Sequence, residues 1–435
     1  MTNRRISVVG LGYIGLPTAA VLARAGCEVI GVDVSARVVE MINRGEVHIV
    51  EPDLDDLVAR MVREGRLRAT LTPEPADAFL IAVPTPFKND YEPDLSFVES
   101  ACRSIAPVLR PGTTVILEST SPVGATERMA GWIAELRPDL RVAKPGDDGR
   151  HDVHVAYCPE RVLPGNVIHE LVANDRVIGG FTPACAASAA AVYQTFVEGA
   201  CIRTDARTAE MCKLTENSFR DVNIAFANEL STICDRLGID VWELIALANR
   251  HPRVNILNPG PGVGGHCIAV DPWFIVHSAP EQAKLIRQAR LVNDGKPGWV
   301  IAKVEAAAAA LAGRGRTPGR PVVACFGLAF KANIDDLRES PALEICAHLA
   351  RSGGFEVIAV EPNIDAAPPV LEGLTELVPV DAALERADIL LLLVDHAEFR
   401  GVDAALLEGR TVIDTRGIWT GGPRRQGGLL PALAA

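Results

Sequence analysis

One of the chain's ten cysteines, Cys267, stands in the run "NPGPGVGGHCIAVDPWF", among four glycines and three prolines. The residues "HCIAVDPWFIV" predict a helix that opens at this cysteine. A helix N-terminus carries partial positive charge and unpaired N–H groups, which favour a thiolate. Asp271 follows four residues later, on the same face and next to the sulfur. Glycines crowding one side of the thiol leave room for something to reach it; the plainer alternative is a buried thiol beside an Asp cap. A second group of side chains comes from the helical pattern that begins near Thr208. Lys213, Asn217 and Arg220 fall at i, i+4 and i+7 and share one face, while Glu210 and Asp221 point elsewhere. Asn is a poor helix former with little to gain on an exposed face, so Asn217 argues against a merely solvated stripe. Loop segments add Glu160 and Arg161 in "YCPERVLPG", His251 and Arg253 in "NRHPRVN", and Lys331 and Arg338 in "FGLAFKANIDDLRESP".

The N-terminal "GLGYIG" supplies Gly10, Gly12 and Gly15 between a β-run and a helix, with Asp33 ending the next β-run. Such glycines let the turn tighten and a pyrophosphate approach a helix N-terminus. The Asp33 carboxylate would accept from ribose hydroxyls and repel a 2′-phosphate, so NAD is expected rather than NADP. A tight βα turn with no ligand is the competing reading. The cysteines form no CxxC pair and have no His partner at metal-ligand spacing, so no metal is expected.

A nicotinamide cofactor, a reactive thiol and no metal define a small set of reactions. Oxidising a primary alcohol to an acid removes two hydrides, and a cysteine that captures the aldehyde can carry the second oxidation as a thiohemiacetal and then a thioester. The plan needs a cation near the alcohol oxygen, an amide for the oxyanion and a carboxylate for the hydrolytic water. Lys213, Asn217, Asp271 and Glu160 are those residue types. A dinucleotide-binding redox regulator with Cys267 as sensor would leave Lys213, Asn217 and Glu160 without work.

The elements that position these residues read as α/β. "RISVVGLG", "CEVIGVD", "AFLIAVPTP" and "TTVILESTSP" are β-runs alternating with helices, the cadence of a parallel sheet covered on both faces. An all-helical middle follows, led by a helix of roughly 30 residues that ends at Gly238. After the linker "GRGRTPGRP" the cadence resumes in "VVACFGLAF", "FEVIAVEP", "ADILLLLVDH" and "RTVIDTRG". The expected architecture is two Rossmann-like lobes with parallel doubly wound sheets, joined by a long central helix and a helical middle domain. The expected bounds are 1–200, 201–312 and 313–435, with a frayed tail after Trp419. A net charge of −12 argues against a nucleic-acid or anionic-membrane surface. With no membrane-length apolar segment and no secretory signal, the thiols are expected reduced and the protein cytoplasmic.

The ordered run "GLGYIGLPTA", "PTPF", "STSPVGATE", "YCPERVLPG", "EMCKLTENSFRDVNIAFANE", "NRHPRVNI", "GPGVGGHCIAVDP" and "FGLAFK" resembles the UDP-glucose/GDP-mannose dehydrogenase family over nearly the whole chain. It is nearest the bacterial branch that oxidises UDP-N-acetyl-D-mannosamine to the uronic acid of surface polysaccharides such as enterobacterial common antigen. Its nearest rivals are enzymes acting on UDP-glucose or UDP-N-acetylglucosamine. The resemblance implies Cys267 as nucleophile and Lys213 as acid/base and alkoxide-stabilising group. It further implies Asn217 and Asp271 as holders of oxyanion and water, and Glu160 as an aid to thioester hydrolysis. NAD contacts would come from Tyr13, Ile14, Asp33, Thr85 and Thr126 beside the three loop glycines, with Arg338 reaching across from the partner lobe or subunit. The UDP-sugar would meet Arg161, Val162, Lys213, Asn217, Arg220, His251, Arg253, Gly264, Phe330 and Lys331. The glycines before Cys267 would clear a backbone path that lets the sugar C6 lie against the sulfur. Relatives are dimers built on the long helix, which implies a homodimer here. Three departures stand out: Ala332 where relatives commonly carry proline, the tail, and "AKPGDDGRHDVHVA", which is polar and matches nothing well.

Overall fold

The protein, as a computed structural model, is described over residues 4–89, 91–147, 150–162, 165–265, 267–313 and 319–420. It divides into two compact units, residues 1–216 and 217–435. Most of the linker "GRGRTPGRP" and all of the tail beyond Thr420 lie outside the described residues.

The first unit contains β1 (Arg5–Val9), β2 (Glu28–Val32), β3 (Leu67–Thr70), β4 (Ala78–Ile81), the hairpin β5 (Phe87–Lys88) and β6 (Glu92–Pro93), β7 (Thr114–Leu117), β8 (His154–Tyr157), β9 (Arg176–Gly180) and β10 (Cys201–Asp205). Apart from the hairpin, these form one sheet in the order β10-β9-β8-β7-β4-β1-β2-β3. Both of its faces are covered, and the residues alternate between them. Ile6, Val8 and Leu80 pack with Leu16, Ala19 and Ala20 of helix Gly15–Arg24, whereas Val9, Phe79 and Ile81 pack with Val98, Met129 and Ile133. That burial on both sides explains the continuous apolar runs. The sheet departs from the expected all-parallel pattern at one place: β9 runs antiparallel to β8, with Ala156 opposite Gly180. β10 pairs parallel with β9 and carries the sheet to Asp205, past the expected bound at 200.

The second unit holds β11 (Val322–Phe326), β12 (Glu356–Val360), β13 (Glu376–Leu377), β14 (Ile389–Leu392) and β15 (Thr411–Asp414), all parallel, in the order β13-β12-β11-β14-β15. Val323, Cys325, Ile389 and Leu391 pack on one face with Val300 and Ile345, and Ala324, Phe326, Leu390 and Leu392 on the other with Ala383 and Phe399. The helical middle consists chiefly of Ala206–Leu237, Val241–Ala248, Asp271–Ser278 and Lys284–Gly313. No described helix is long and apolar enough to cross a membrane.

In each sheet the strand order reverses beside the first strand, at β4-β1-β2 and at β14-β11-β12. Crevices form outside the carboxyl ends of such strands. The sequence places "GLGYIG" after β1 and "GLAFK" after β11, at those two points.

Glu160 follows β8 and is held from below by a buried cluster. Its Oε2 lies 2.6 Å from Arg176 Nη1, and Arg176 also donates to the Leu171 carbonyl at 3.1 Å. Beside them Tyr193 donates its hydroxyl to Glu118 Oε1 at 2.7 Å. Burial, seconded by the nearby Glu160 charge, pushes the Glu118 carboxyl up from 4.5 to about 7, against the opposing pull of Arg176 and Tyr193. The folded chain therefore keeps a proton that the unfolded chain releases, and stability falls as pH rises through that window. Between pH 4.5 and 7.5, denaturant unfolding is expected to show wild type losing up to about 3 kcal/mol more than Glu118→Gln. Parallel pH profiles for the two proteins would refute this.

Candidate active site

In the first unit, the glycine loop has the shape a dinucleotide needs. Gly10 adopts φ +92°, and a Cβ there would meet the Ala82 carbonyl oxygen at 2.6 Å. A Cβ on Gly15 would lie 1.8 Å from the Gly10 oxygen, so the turn and the close helix–strand approach both require glycine. Around Gly12, by contrast, a Cβ would meet nothing within 4 Å, which leaves bare backbone open to a ligand. Asp33 Oδ2 accepts from the Leu11 amide at 3.0 Å and Oδ1 from Ser35 at 2.9 Å. These bonds fix the carboxylate beside the loop, and a carboxylate with about four acceptor sites keeps room for ribose hydroxyls. Tyr13 is exposed and Ile14 half-buried at the same turn, while Thr85, after β4, donates its hydroxyl to the Thr120 carbonyl. The residues fit NAD.

Thr126 is fully buried, and both its amide and its hydroxyl bond Glu210 Oε1, at 2.8 and 2.6 Å. Gly124 donates to the other oxygen of Glu210 at 2.6 Å. Glu210 thus caps helix Ala125–Leu136, and burial raises its pKa. Thr126 serves that cap. Sequence reasoning set Glu210 aside as off the functional face; nothing local in the sequence links it to residue 126.

Glu160 is buried and also accepts from the Arg161 amide at 2.6 Å. The Arg161 guanidinium binds Glu216 Oε1 at 2.8 Å and the Asp175 carbonyl, and Val162 packs against the sheet's core. Lys213, on the part of the long helix that belongs to this unit, is only 8% exposed and forms no hydrogen bond or ion pair among the described residues. A buried ammonium-bearing side chain without a partner has donors to offer an incoming oxygen.

In the second unit, Asn217, also 8% exposed, donates from Nδ2 to Asp271 Oδ2 at 2.5 Å, and Asp271 is 2% exposed. The Asp271 amide in turn donates to the Cys267 carbonyl at 2.9 Å, joined by that of Val270 at 3.1 Å. The long helix is thereby tied to the turn that bears the exposed Cys267. The expected helix start is corrected here: the helix runs Asp271–Ser278, and Cys267 sits one hydrogen-bonded turn upstream. Pro272 is the cause, because it has no N–H to donate to residue 268, so the regular ladder begins with proline in its first turn.

The role expected for the glycines also changes. A Cβ on Gly264 would meet the Glu339 oxygen at 2.4 Å and Phe330 Cβ at 2.9 Å; on Gly265, the Phe330 ring at 3.0 Å; on Gly262, Pro341 at 2.8 Å. The bare backbone therefore admits Phe330 from the loop after β11 and Pro341, the first residue of the helix Pro341–Ser352 that follows it. That packing brings Gly264 and Phe330 together, with Lys331 exposed beside them. The loop's other end is fixed by a buried polar chain that sequence reasoning missed. Arg290 pairs with Asp221 at 2.6 Å, Asn293 donates to Asp221 Oδ1 at 2.8 Å, Asn228 donates to Asn293 at 2.9 Å, and the Gly260 amide donates to Asn228 at 2.8 Å. Arg220, His251 and Arg253 are exposed, with the Arg253 amide on His251 Nδ1 at 3.3 Å. Arg338 is bound to Asp336 by Nε and Nη2.

Comparison with known proteins agrees with this geometry. Residues 4–197, 207–295 and 324–421 match, in turn, the NAD binding, central and UDP binding domains of the UDP-glucose/GDP-mannose dehydrogenase family. The chain is 62% identical over 420 residues to a UDP-N-acetyl-D-mannosamine dehydrogenase of Salmonella typhi, covering 96% of this chain and 100% of that one. It is also 62% identical over 418 residues to an NDP-N-acetyl-D-galactosaminuronic acid dehydrogenase of Ralstonia nicotianae, covering 96% of each. A solved UDP-D-ManNAc dehydrogenase from Pyrococcus horikoshii superposes with a TM-score of 0.84 at 39% identity over 97% of both chains. The chain belongs to the UDP-glucose/GDP-mannose dehydrogenase family and is an NAD-dependent UDP-sugar dehydrogenase.

Proposed function

We propose that the chain oxidises UDP-N-acetyl-D-mannosamine at C6 to the uronic acid, in two successive oxidations through a thioester on Cys267. The observation that carries this reading is the Asn217–Asp271 hydrogen bond, which fixes an amide and a carboxylate one turn from an exposed thiol. NAD, when bound, accepts one hydride in each oxidation. As C6 loses the first hydride its hydroxyl proton passes to water, while Lys213 donates a hydrogen bond to the C6 oxygen, giving an aldehyde. The Cys267 sulfur adds to that carbon, and the new oxyanion is held by the Asn217 amide. Loss of the second hydride turns the thiohemiacetal into a thioester. Water directed by Glu160 and Asp271 adds to the carbonyl, the C–S bond breaks, and sulfur leaves as thiolate. In sum, the alcohol, two NAD⁺ and one water give the carboxylate, two NADH and three protons.

The mannosamine assignment is supported by the name of the Salmonella relative. The equal identity to the Ralstonia protein favours one second reading, a galactosamine-derived substrate. A panel of UDP-N-acetylmannosamine, UDP-N-acetylgalactosamine, UDP-N-acetylglucosamine and UDP-glucose separates them. The expected result is a kcat/KM at least about tenfold higher for the mannosamine sugar, a preference of about 1.4 kcal/mol. A different best sugar replaces the substrate, and no NAD reduction with any of them sinks the reading. Cys267→Ser is expected to lower steady-state acid formation by about 10³-fold or more. Unchanged acid formation would rule the thioester out.

The same reading includes a homodimer in the cytoplasm. Phe219, Phe226 and Ile233 recur every seven residues along the long helix and are all exposed, an apolar stripe that a second copy would cover. Sedimentation should give a dimer for wild type and a monomer for Phe219→Asp/Phe226→Asp; a monomeric wild type would remove the dimer.

A further inference from the structure

The polar segment that matches nothing in the family resemblance, "AKPGDDGRHDVHVA", ends at a cluster on the first unit's sheet. His151 lies just before β8, His154 is the first residue of β8, and Cys185 is the third residue of helix Pro183–Tyr193. His151 Nε2 stands 2.8 Å from His154 Nδ1 and 3.4 Å from Cys185 Sγ, and the three ligand atoms lie within 4.8 Å of one another. We propose that these three side chains form a zinc site, separate from the reaction, that pins the loop before β8 to the helix after β9.

The donor set is the kind zinc takes, two imidazole nitrogens and one thiolate, with a fourth position left for water. Tetrahedral bonds of about 2.0–2.1 Å to nitrogen and 2.3 Å to sulfur place ligand nitrogens about 3.3 Å apart and nitrogen and sulfur about 3.6 Å apart. The cluster therefore needs the two rings to part by about 0.5 Å and the His154–Cys185 pair, which lies within 4.8 Å, to settle at about 3.6 Å. The imidazoles meet edge to face, with centroids 4.6 Å apart, so both can turn nitrogens inward. Thr182 donates its hydroxyl to Cys185 Sγ at 3.3 Å and accepts the Cys185 amide at 3.2 Å, an outer shell that orients the sulfur.

The antiparallel strand explains why the residues meet. β9 runs back along β8, Gly180 pairs with Ala156, and the Phe181 amide donates to the Val155 carbonyl. The chain therefore arrives at residue 185 beside the start of β8. Glu160 follows the other end of that strand, which is why the site is assigned to structure and not to the oxidation. Thirty-one positions separate Cys185 from His154, far outside any metal-ligand spacing readable along the chain.

The test uses the full-length, tag-free chain, stripped with a chelator and titrated with Zn²⁺ alone. About one Zn²⁺ per chain is expected for wild type and for Cys267→Ser. At least about tenfold weaker binding is expected for Cys185→Ser and for His151→Ala/His154→Ala. Co²⁺ in place of zinc should give a thiolate charge-transfer band in wild type and Cys267→Ser that Cys185→Ser lacks. Equal zinc binding by wild type and Cys185→Ser would overturn the site. If Cys185→Ser fails to fold, the wild-type Co²⁺ spectrum decides alone, and absence of the band overturns it.

Discussion

The hydrogen bond from Asn217 to Asp271 is the constraint on which the thiol half of the site rests. It joins a 32-residue helix to the turn in which the Val270 and Asp271 amides donate to the Cys267 carbonyl. Both partners are buried, so losing either leaves a polar group with no water to replace its partner. An Asn inside a helix is accepted at a propensity cost of a few tenths of a kcal/mol, because the amide is what the neighbouring turn needs. The helix's amide and the turn's carboxylate are thus one bonded pair.

Other buried polar groups hold the remaining parts in similar fashion. Asp221, Arg290, Asn293 and Asn228 form a chain that ends on the Gly260 amide and so fixes the start of the glycine loop. Phe330 and Pro341 fill the space where side chains on Gly262, Gly264 and Gly265 would stand. In the first unit, Arg176 holds Glu160 and Glu210 caps the helix that begins at Ala125. Breaking a buried pair by removing one partner costs about 3–5 kcal/mol, so each pair fixes a side chain whose own loop has little else to order it.

Much of this was legible along the chain because local pattern carries it. The "GLGYIG" turn, Asp33 and both βαβ cadences follow from glycine chemistry and from apolar runs buried on two faces. The i, i+4 spacing brought out Lys213 and Asn217, and both are buried. What was not legible depends on distant contacts. Glu210 is matched to Thr126 across 84 positions, and Arg290 to Asp221 across 69. The reversal of β9 has no sequence mark, and it alone brings Cys185 beside the two histidines. Two misreadings were local: Pro272 moved the helix start from Cys267 to Asp271, and the glycines beside the thiol serve loop packing. The first could have been read from the proline; the second needed Phe330 in place.

The coupled use of one thiol for two oxidations is the central claim, and counting electrons tests it most directly. A limiting amount of UDP-N-acetylmannosamine is converted to completion with excess NAD, and NADH is compared with sugar consumed. Capture of the aldehyde by Cys267 predicts two NADH per sugar and the uronic acid as sole product. One NADH per sugar, with free aldehyde released, would contradict it.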